Sequence, residues 1–141
     1  MQKLQHILKS NRGGVSQFVA ATISMLAIIM LFLALTAGLK TFNEYGTLND
    51  FGNELIKTAA NTGRCSGDKL TDRYDQLAAS TGIKPTATYS ADFFNPDDKT
   101  VQYGNVITLQ LSLDTHISAV GISIPITLQV TKTAESQQYW K

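Results

Sequence analysis

The sequence predicts an α+β fold: a long N-terminal transmembrane helix extends into a small ectodomain, which adds a second short helix and a three- to four-stranded antiparallel sheet. Three observations predict it. No Lys, Arg, Asp or Glu occurs from Gly13 to Leu39. An apolar stripe at spacings of three and four then continues through Leu39, Phe42, Tyr45, Leu48, Phe51, Leu55 and Ala59. The last third of the chain switches to strict alternation of apolar and polar residues, the pattern of a half-buried antiparallel sheet. The averages conceal this division, since 141 residues at 43% hydrophobic, net charge +1 and mean hydropathy −0.03 describe an ordinary small protein. With Gly 10, Pro 3 and Cys 1 they exclude collagen-like, disordered and disulfide-framework chains. The small net charge also argues against a nucleic-acid partner.

The first element is the membrane helix. Residues 1–12 read as a basic cytoplasmic tail and residues 13–40 as the transmembrane helix. The core of the span, Val19 to Leu39, holds ten Leu, Ile, Val or Phe residues. At about −0.3 to −0.6 kcal/mol each near the bilayer centre, these favour insertion by at most roughly 3–6 kcal/mol. Off-centre positions count for less, and Thr22, Ser24, Thr36 and Gly38 oppose insertion. The stretch rises roughly 31 Å as a helix, one hydrocarbon thickness. A cleaved secretory signal has a shorter apolar region and a small-x-small site, which Leu35-Thr36-Ala37 matches poorly, so a retained anchor is expected.

Flanking charge sets the orientation. Lys3, Lys9 and Arg12 precede the span with no acidic residue among them, whereas residues 41–141 carry eight Lys/Arg against eleven Asp/Glu. The positive-inside rule puts the N-terminus in the cytoplasm and the remainder outside. Within the span, Ala20, Ser24, Ala27, Leu31, Ala34 and Gly38 share one helical stripe, and all but Leu31 are small. Small stripes let helices approach closely in lipid, so a homo- or hetero-oligomer through the transmembrane helix is expected.

Residues 41–63 read as the extracellular continuation of the helix, and residues 64–141 as an extracellular α+β domain. The whole first helix is expected from about Ser16 to Thr62, with a hinge at Gly46 or Gly52, where each glycine costs about 1 kcal/mol relative to Ala. Asp68 is the expected N-cap of a second helix, Lys69 to Thr81, with Leu70, Tyr74, Leu77 and Ala78 on one face. Gly82 fits its C′ position and Pro85 prevents continuation. A strand is expected from Thr86 to Phe94, a turn over Asn95-Pro96-Asp97-Asp98, and a short strand from Thr100 to Tyr103. Two stronger strands follow, Val106 to Asp114 and Ile122 to Lys132, the second an edge strand because Pro125 lacks a ladder donor. The apolar sheet face and the helix stripe are each half of a core, and packing them together gives an α+β layer.

The order of elements resembles type IV pilin-like proteins. A basic tail leads to Arg12-Gly13-Gly14-Val15-Ser16-Gln17-Phe18, then to a long apolar helix feeding a small antiparallel sheet. The closer likeness is to TadE-like pseudopilins and to related small membrane proteins of Gram-positive bacteria. That group shares an F-x-x-E-L-(I/V) segment, here Phe51-Gly52-Asn53-Glu54-Leu55-Ile56, then Gly63-Arg64, Thr81-Gly82-Ile83-Lys84-Pro85 and a terminal Tyr139-Trp140-Lys141. The resemblance implies a pilin-like fold and a non-enzymatic structural part of, or accessory to, a pilus or secretion machinery at the bacterial cell membrane or in a surface filament. It also implies prepilin-type processing at Gly13 or Gly14. The sequence departs from the family where a carboxylate would be sought, because Gln17 stands there and no Glu occurs before Glu44.

Little in the chain reads as catalytic. His6 and His116 fall on opposite sides of the membrane, so no shared metal site is expected, and no cofactor. Ser66-Gly67-Asp68-Lys69 matches S-x-x-K formally but lacks the accompanying S-D-N and K-T-G elements. Asn95, Asp97 and Asp98 read as a solvated turn rather than a Ca²⁺ site. Cys65 has no partner in the chain and reads as a free, partly buried thiol. Tyr139 and Trp140 have two readings. Trp140 packs back on its own domain, or the pair anchors a partner or the membrane lipid interface.

Overall fold

The computed structural model describes the backbone of residues 2–119 and 121–141 and the side chains of residues 14–118 and 121–141. The side chains of the basic tail, with Lys3, His6, Lys9 and Arg12, therefore lie outside the described residues, as does the environment of Gly13. The fold is α+β. The elements run α1 (Gln2–Thr62), α2 (Asp68–Thr81), β1 (Thr86–Ala91), β2 (Phe93–Asn95), β3 (Thr100–Val101), β4 (Val106–Ala119) and β5 (Ile122–Glu135). β1, β4 and β5 form an antiparallel sheet in the order β1-β4-β5, and β2 and β3 form a separate small ribbon.

α1 starts at Gln2 rather than near Ser16. Nothing in residues 2–15 stops it: there is no proline, and Gly13 and Gly14 sit between helix-forming residues. The helical backbone also runs without interruption through Gly46 and Gly52, so neither is a break. Their surroundings differ. A Cβ on Gly46 would meet open space, whereas one on Gly52 would lie 3.2 Å from Leu111 Cδ1 and from Lys132 Cγ. Gly52 is thus a point of close approach between helix and sheet, and its missing side chain permits it.

The core sits between α1 and the sheet. Leu48, Phe51, Leu55, Ile56 and Ala59 from α1 meet Ile107, Leu109 and Leu111 from β4 and Val130 from β5, all buried. Each fully buried Leu, Ile or Phe contributes about 1.5–3 kcal/mol, so this layer is the main source of the folded domain's stability. α2 closes the same side with Leu70 and Ala78, and Tyr74 stands edge-on to Phe51 at 5.3 Å between ring centroids. The predicted stripe is buried only from Leu48 onward. Leu39, Phe42 and Tyr45 are exposed, Phe42 at 73%, because the periodicity sets a face but not what covers it.

Further corrections concern element ends. The N-cap of α2 is Gly67, not Asp68, and no side chain caps the helix. Gly67 has φ 105 and ψ 171, a conformation open essentially only to glycine, and its carbonyl accepts from the N–H groups of Leu70 and Thr71. At the other end Gly82 takes φ 74 and donates its N–H to the Ala78 carbonyl, the C-cap that the sequence predicts. The expected strand Thr86 to Phe94 divides at Asp92. β1 ends its pairing with β4 at Ala91↔Ile107, and the chain then turns away so that Phe93 pairs with Val101. β3 is correspondingly shorter than predicted. β4 and β5 are longer, paired continuously from Val106↔Glu135 to Ala119↔Ile122. β5 pairs only with β4 and carries Pro125 on the sheet edge, as predicted.

Candidate functional site

Three surfaces of the molecule combine features that the core does not need. The first is the distal end of α1. At Gly63 the chain leaves the helix with φ 59, and Val101 donates its N–H to the Gly63 carbonyl at 2.8 Å. The C-terminal segment after β5 folds back across this point as a strap. Gln137 N–H donates to the Ala60 carbonyl at 2.9 Å, and the buried Ser136 hydroxyl donates to the Val101 carbonyl at 2.8 Å. Gln102 holds the backbone of Trp140 from both sides, accepting from its N–H at 2.7 Å and donating to its carbonyl at 3.0 Å. The Arg64 guanidinium lies 4.8 Å from the Trp140 ring centroid, a cation–π contact. Trp140 therefore packs on its own domain, while Tyr139 stays exposed. Beside the strap lies a cleft of about 410 Å³ lined by Arg64, Ser66, Asp68, Lys69, Gln138 and Trp140 among others. The Ser66-Gly67-Asp68-Lys69 segment is part of it, with the Ser66 hydroxyl donating to the Asp98 carbonyl at 2.9 Å.

Cys65 lies just behind this cleft, buried, and donates its N–H to the Lys99 carbonyl. Burial pushes its thiol up to about 11, with Lys99 pulling weakly the other way, so at neutral pH it is a protonated packing group and a poor nucleophile. The neighbouring turn is satisfied internally. Asn95 Oδ1 accepts from the Asp97 N–H, and its Nδ2–H donates to Asp98. Among the described residues no group of three His, Cys, Asp or Glu side chains converges to hold a metal.

The second surface is the outer face of the sheet. Register places Thr86↔Ser112↔Gln129, Thr88↔Gln110↔Thr131 and Ser90↔Thr108↔Thr133 in three rows. The opposite face carries Ala87, Tyr89, Ile107, Leu109, Leu111 and Val130 toward the helices. These rows are a field of hydroxyl and amide groups, flanked on the same face by the carboxylates of Asp114, opposite Thr127, and Glu135, opposite Val106. Strand alternation announces that this face is wet, but only the register of three strands shows that its central rows are uncharged.

The third surface is the apolar N-terminal part of α1. It is a helix long and apolar enough to cross a membrane, and none of its most apolar stretch is covered by the rest of the chain. Ala20, Ser24, Ala27, Leu31, Ala34 and Gly38 are all exposed on it. Seven-residue steps carry Ala27 and Ala34 onto Thr41, Leu48 and Leu55, with a drift of about 20° per step. The small stripe therefore lies on nearly the same side of α1 as the face that packs on the sheet. Gly14, the second candidate processing residue, is exposed within the helix.

The described domain of unknown function DUF4320 matches residues 24–141, from within the apolar segment through the strap. The chain belongs to the DUF4320 family. The match joins the apolar half of α1, the sheet and the strap as parts of one family unit. No curated protein and no solved structure matches the chain.

Proposed function

We propose that this DUF4320 protein is a non-enzymatic, single-pass membrane protein of the bacterial cell membrane, with its N-terminus cytoplasmic and its ectodomain outside. In this reading it is a pilin-like or pseudopilin structural component of a pilus or secretion apparatus. The observation that supports it best is the double use of α1. One half is apolar all round and uncovered, and the other half supplies the core of a small antiparallel layer. A helix that is hydrophobic on every side needs lipid or other helices around it. The charge asymmetry about the span supports the orientation, and the small stripe supports assembly through helix packing.

A second reading is a non-polymerising, membrane-tethered accessory of a conjugative-transfer or secretion system. Gln17 favours it, because an uncharged amide cannot neutralise the N-terminal ammonium of a neighbouring subunit. Mass spectrometry of the mature chain from the membrane fraction separates the two. A processed pilin loses the segment up to Gly13 or Gly14, whereas an intact Met1 or merely des-Met chain leaves the accessory reading. Recovery of the full chain in the soluble fraction would sink both.

A further inference from the structure

The β4–β5 ribbon extends well past the rest of the sheet. β1 stops pairing with β4 at Ser112, yet β4 and β5 stay paired to Ala119↔Ile122 and close through a connection ending at Gly121, φ 78. From Thr115 to Thr131 this ribbon carries no Lys, Arg, Asp or Glu. Its helix-facing side loses cover toward the tip. Val130 is buried, Leu128 and Ile126 are half-buried, and Ile124 and Ile122 are 54% and 65% exposed. An exposed pair of isoleucines at the end of an uncharged ribbon does not serve the core.

The height of that tip along α1 follows from two fixed points. Gly52 abuts Leu111, and Glu44 accepts a 2.7 Å hydrogen bond from the Thr115 hydroxyl. Eight helical residues rise about 12 Å and four strand residues about 13 Å, so ribbon and helix run alongside each other in step. Extending the ribbon by the same length, from Thr115 to Ala119, brings its end level with about Thr36. Burial agrees. Between Gly14 and Thr47 only Ala37, Thr41, Glu44 and Thr47 are half-buried, and Ala37, Thr41 and Glu44 continue the sheet-facing line of Leu48 and Leu55 toward the N-terminus. The ectodomain thus overlaps the last turns of the uncharged segment that ends at Leu39.

We propose that the tip of the β4–β5 ribbon is a second membrane contact, with Ile122 and Ile124 seated in the headgroup layer of the leaflet from which α1 emerges. The inference rests on the reading of α1 as a membrane span. The occupant is lipid because the tip is fixed at the level where the apolar surface of α1 ends, and because no charge opposes its contact with that layer. The depth is limited by the backbone. Beyond Ser112 both edges of the ribbon are unpaired, and such groups are costly where water cannot reach them. Pro125 removes one of these donors from the β5 edge. The ribbon therefore rests among headgroups and does not enter the hydrocarbon.

The test uses the full chain in vesicles, with Ile122→Cys in a Cys65→Ser background carrying an environment-sensitive fluorophore. A control label at Asp97→Cys sits in the turn at the far end of the ectodomain. Flotation with the vesicles reports the anchor separately. Blue-shifted emission at position 122, quenched by lipids spin-labelled near the headgroup, with water-like emission at position 97, is the expected result. A chain that floats but emits from position 122 as it does from position 97 overturns the ribbon contact and leaves the anchor standing. A chain that does not float overturns both. A blue shift that disappears on dilution with excess lipid also overturns it, because the tip then docks on a second copy of the chain.

Discussion

At Gly63 the backbone adopts φ 59, and a Cβ there would come within 2.5 Å of Gln138 Cβ and 2.9 Å of Trp140 Nε1. A side chain at this position meets two separate penalties. The left-handed conformation costs an L-residue about 1–2 kcal/mol, and the strap has to lift to relieve the contact. Gly63→Ala is therefore expected to destabilise the α+β domain by at least about 1–2 kcal/mol in urea unfolding of the detergent-solubilised chain. Loss of the Arg64–Trp140 contact should be visible as a change in tryptophan emission, since Trp140 is the single tryptophan. Cys65 gives a pH signature at the same scale. Burial raises its folded thiol from 9.0 to about 11, so folding favours the protonated form. The stability this group contributes is present below about pH 9 and is lost as pH rises toward about 11. Cys65→Ser should flatten part of the alkaline decline in stability, and the native thiol should resist alkylation at neutral pH until the domain is unfolded.

Among the elements, α1 shows how far a periodic stripe can be trusted. Leu39, Phe42 and Tyr45 belong to the same stripe of three- and four-residue spacings as Leu48, Phe51 and Leu55, yet only the second group is buried. Phe51→Ala should cost about 3–5 kcal/mol, as for a large aromatic removed from a packed core. Phe42→Ala should leave the unfolding free energy of the α+β domain nearly unchanged, and parallel denaturant titrations check both. α2 was legible at its end, where Gly82 and Pro85 give a stop signal that acts locally. Its beginning was not, because an Asp beside a Gly looks like a cap until the φ of Gly67 is known. The division of the first strand at Asp92 was illegible for another reason. Nothing in Thr86 to Phe94 marks the point where β4 ceases to be the partner and β3 takes over. The Glu54 carboxyl, held below its ordinary range chiefly by its hydrogen bond from Arg73, ties α1 to α2. Because the pair is exposed its contribution is small, present above about pH 4.5 and lost as pH falls through the lowered value.

In the whole molecule, what the sequence made plain was the division of labour between an uncharged span and an alternating sheet. Hydrophobic length and strand alternation are local properties and survive any packing. The candidate surfaces were less legible because they are made by register. The uncharged central rows of the outer face need three strands aligned, and the reach of the ribbon needs the hydrogen bond from Thr115 to Glu44. The small stripe belongs to this scale too, since its effect depends on a second helix. Ala27→Leu should reduce crosslinked oligomers of the full chain in membranes, and unchanged oligomers would remove the stripe from the assembly interface. The Phe51→Ala variant, by contrast, should lose stability of the α+β domain while, on the proposed membrane reading, detergent is still needed to extract the chain.

Because α1 passes without a break from Gly14 to Thr62, it is also a lever. The arm from Leu39 to Thr62 is about 35 Å long. A tilt of about 20°, ordinary for a helix in a bilayer, swings its far end sideways by about 12 Å. The strap and the cleft beside Arg64 ride on that end. Small reorientations of the apolar, uncovered half are thereby delivered, enlarged, to whatever touches the far face of the domain.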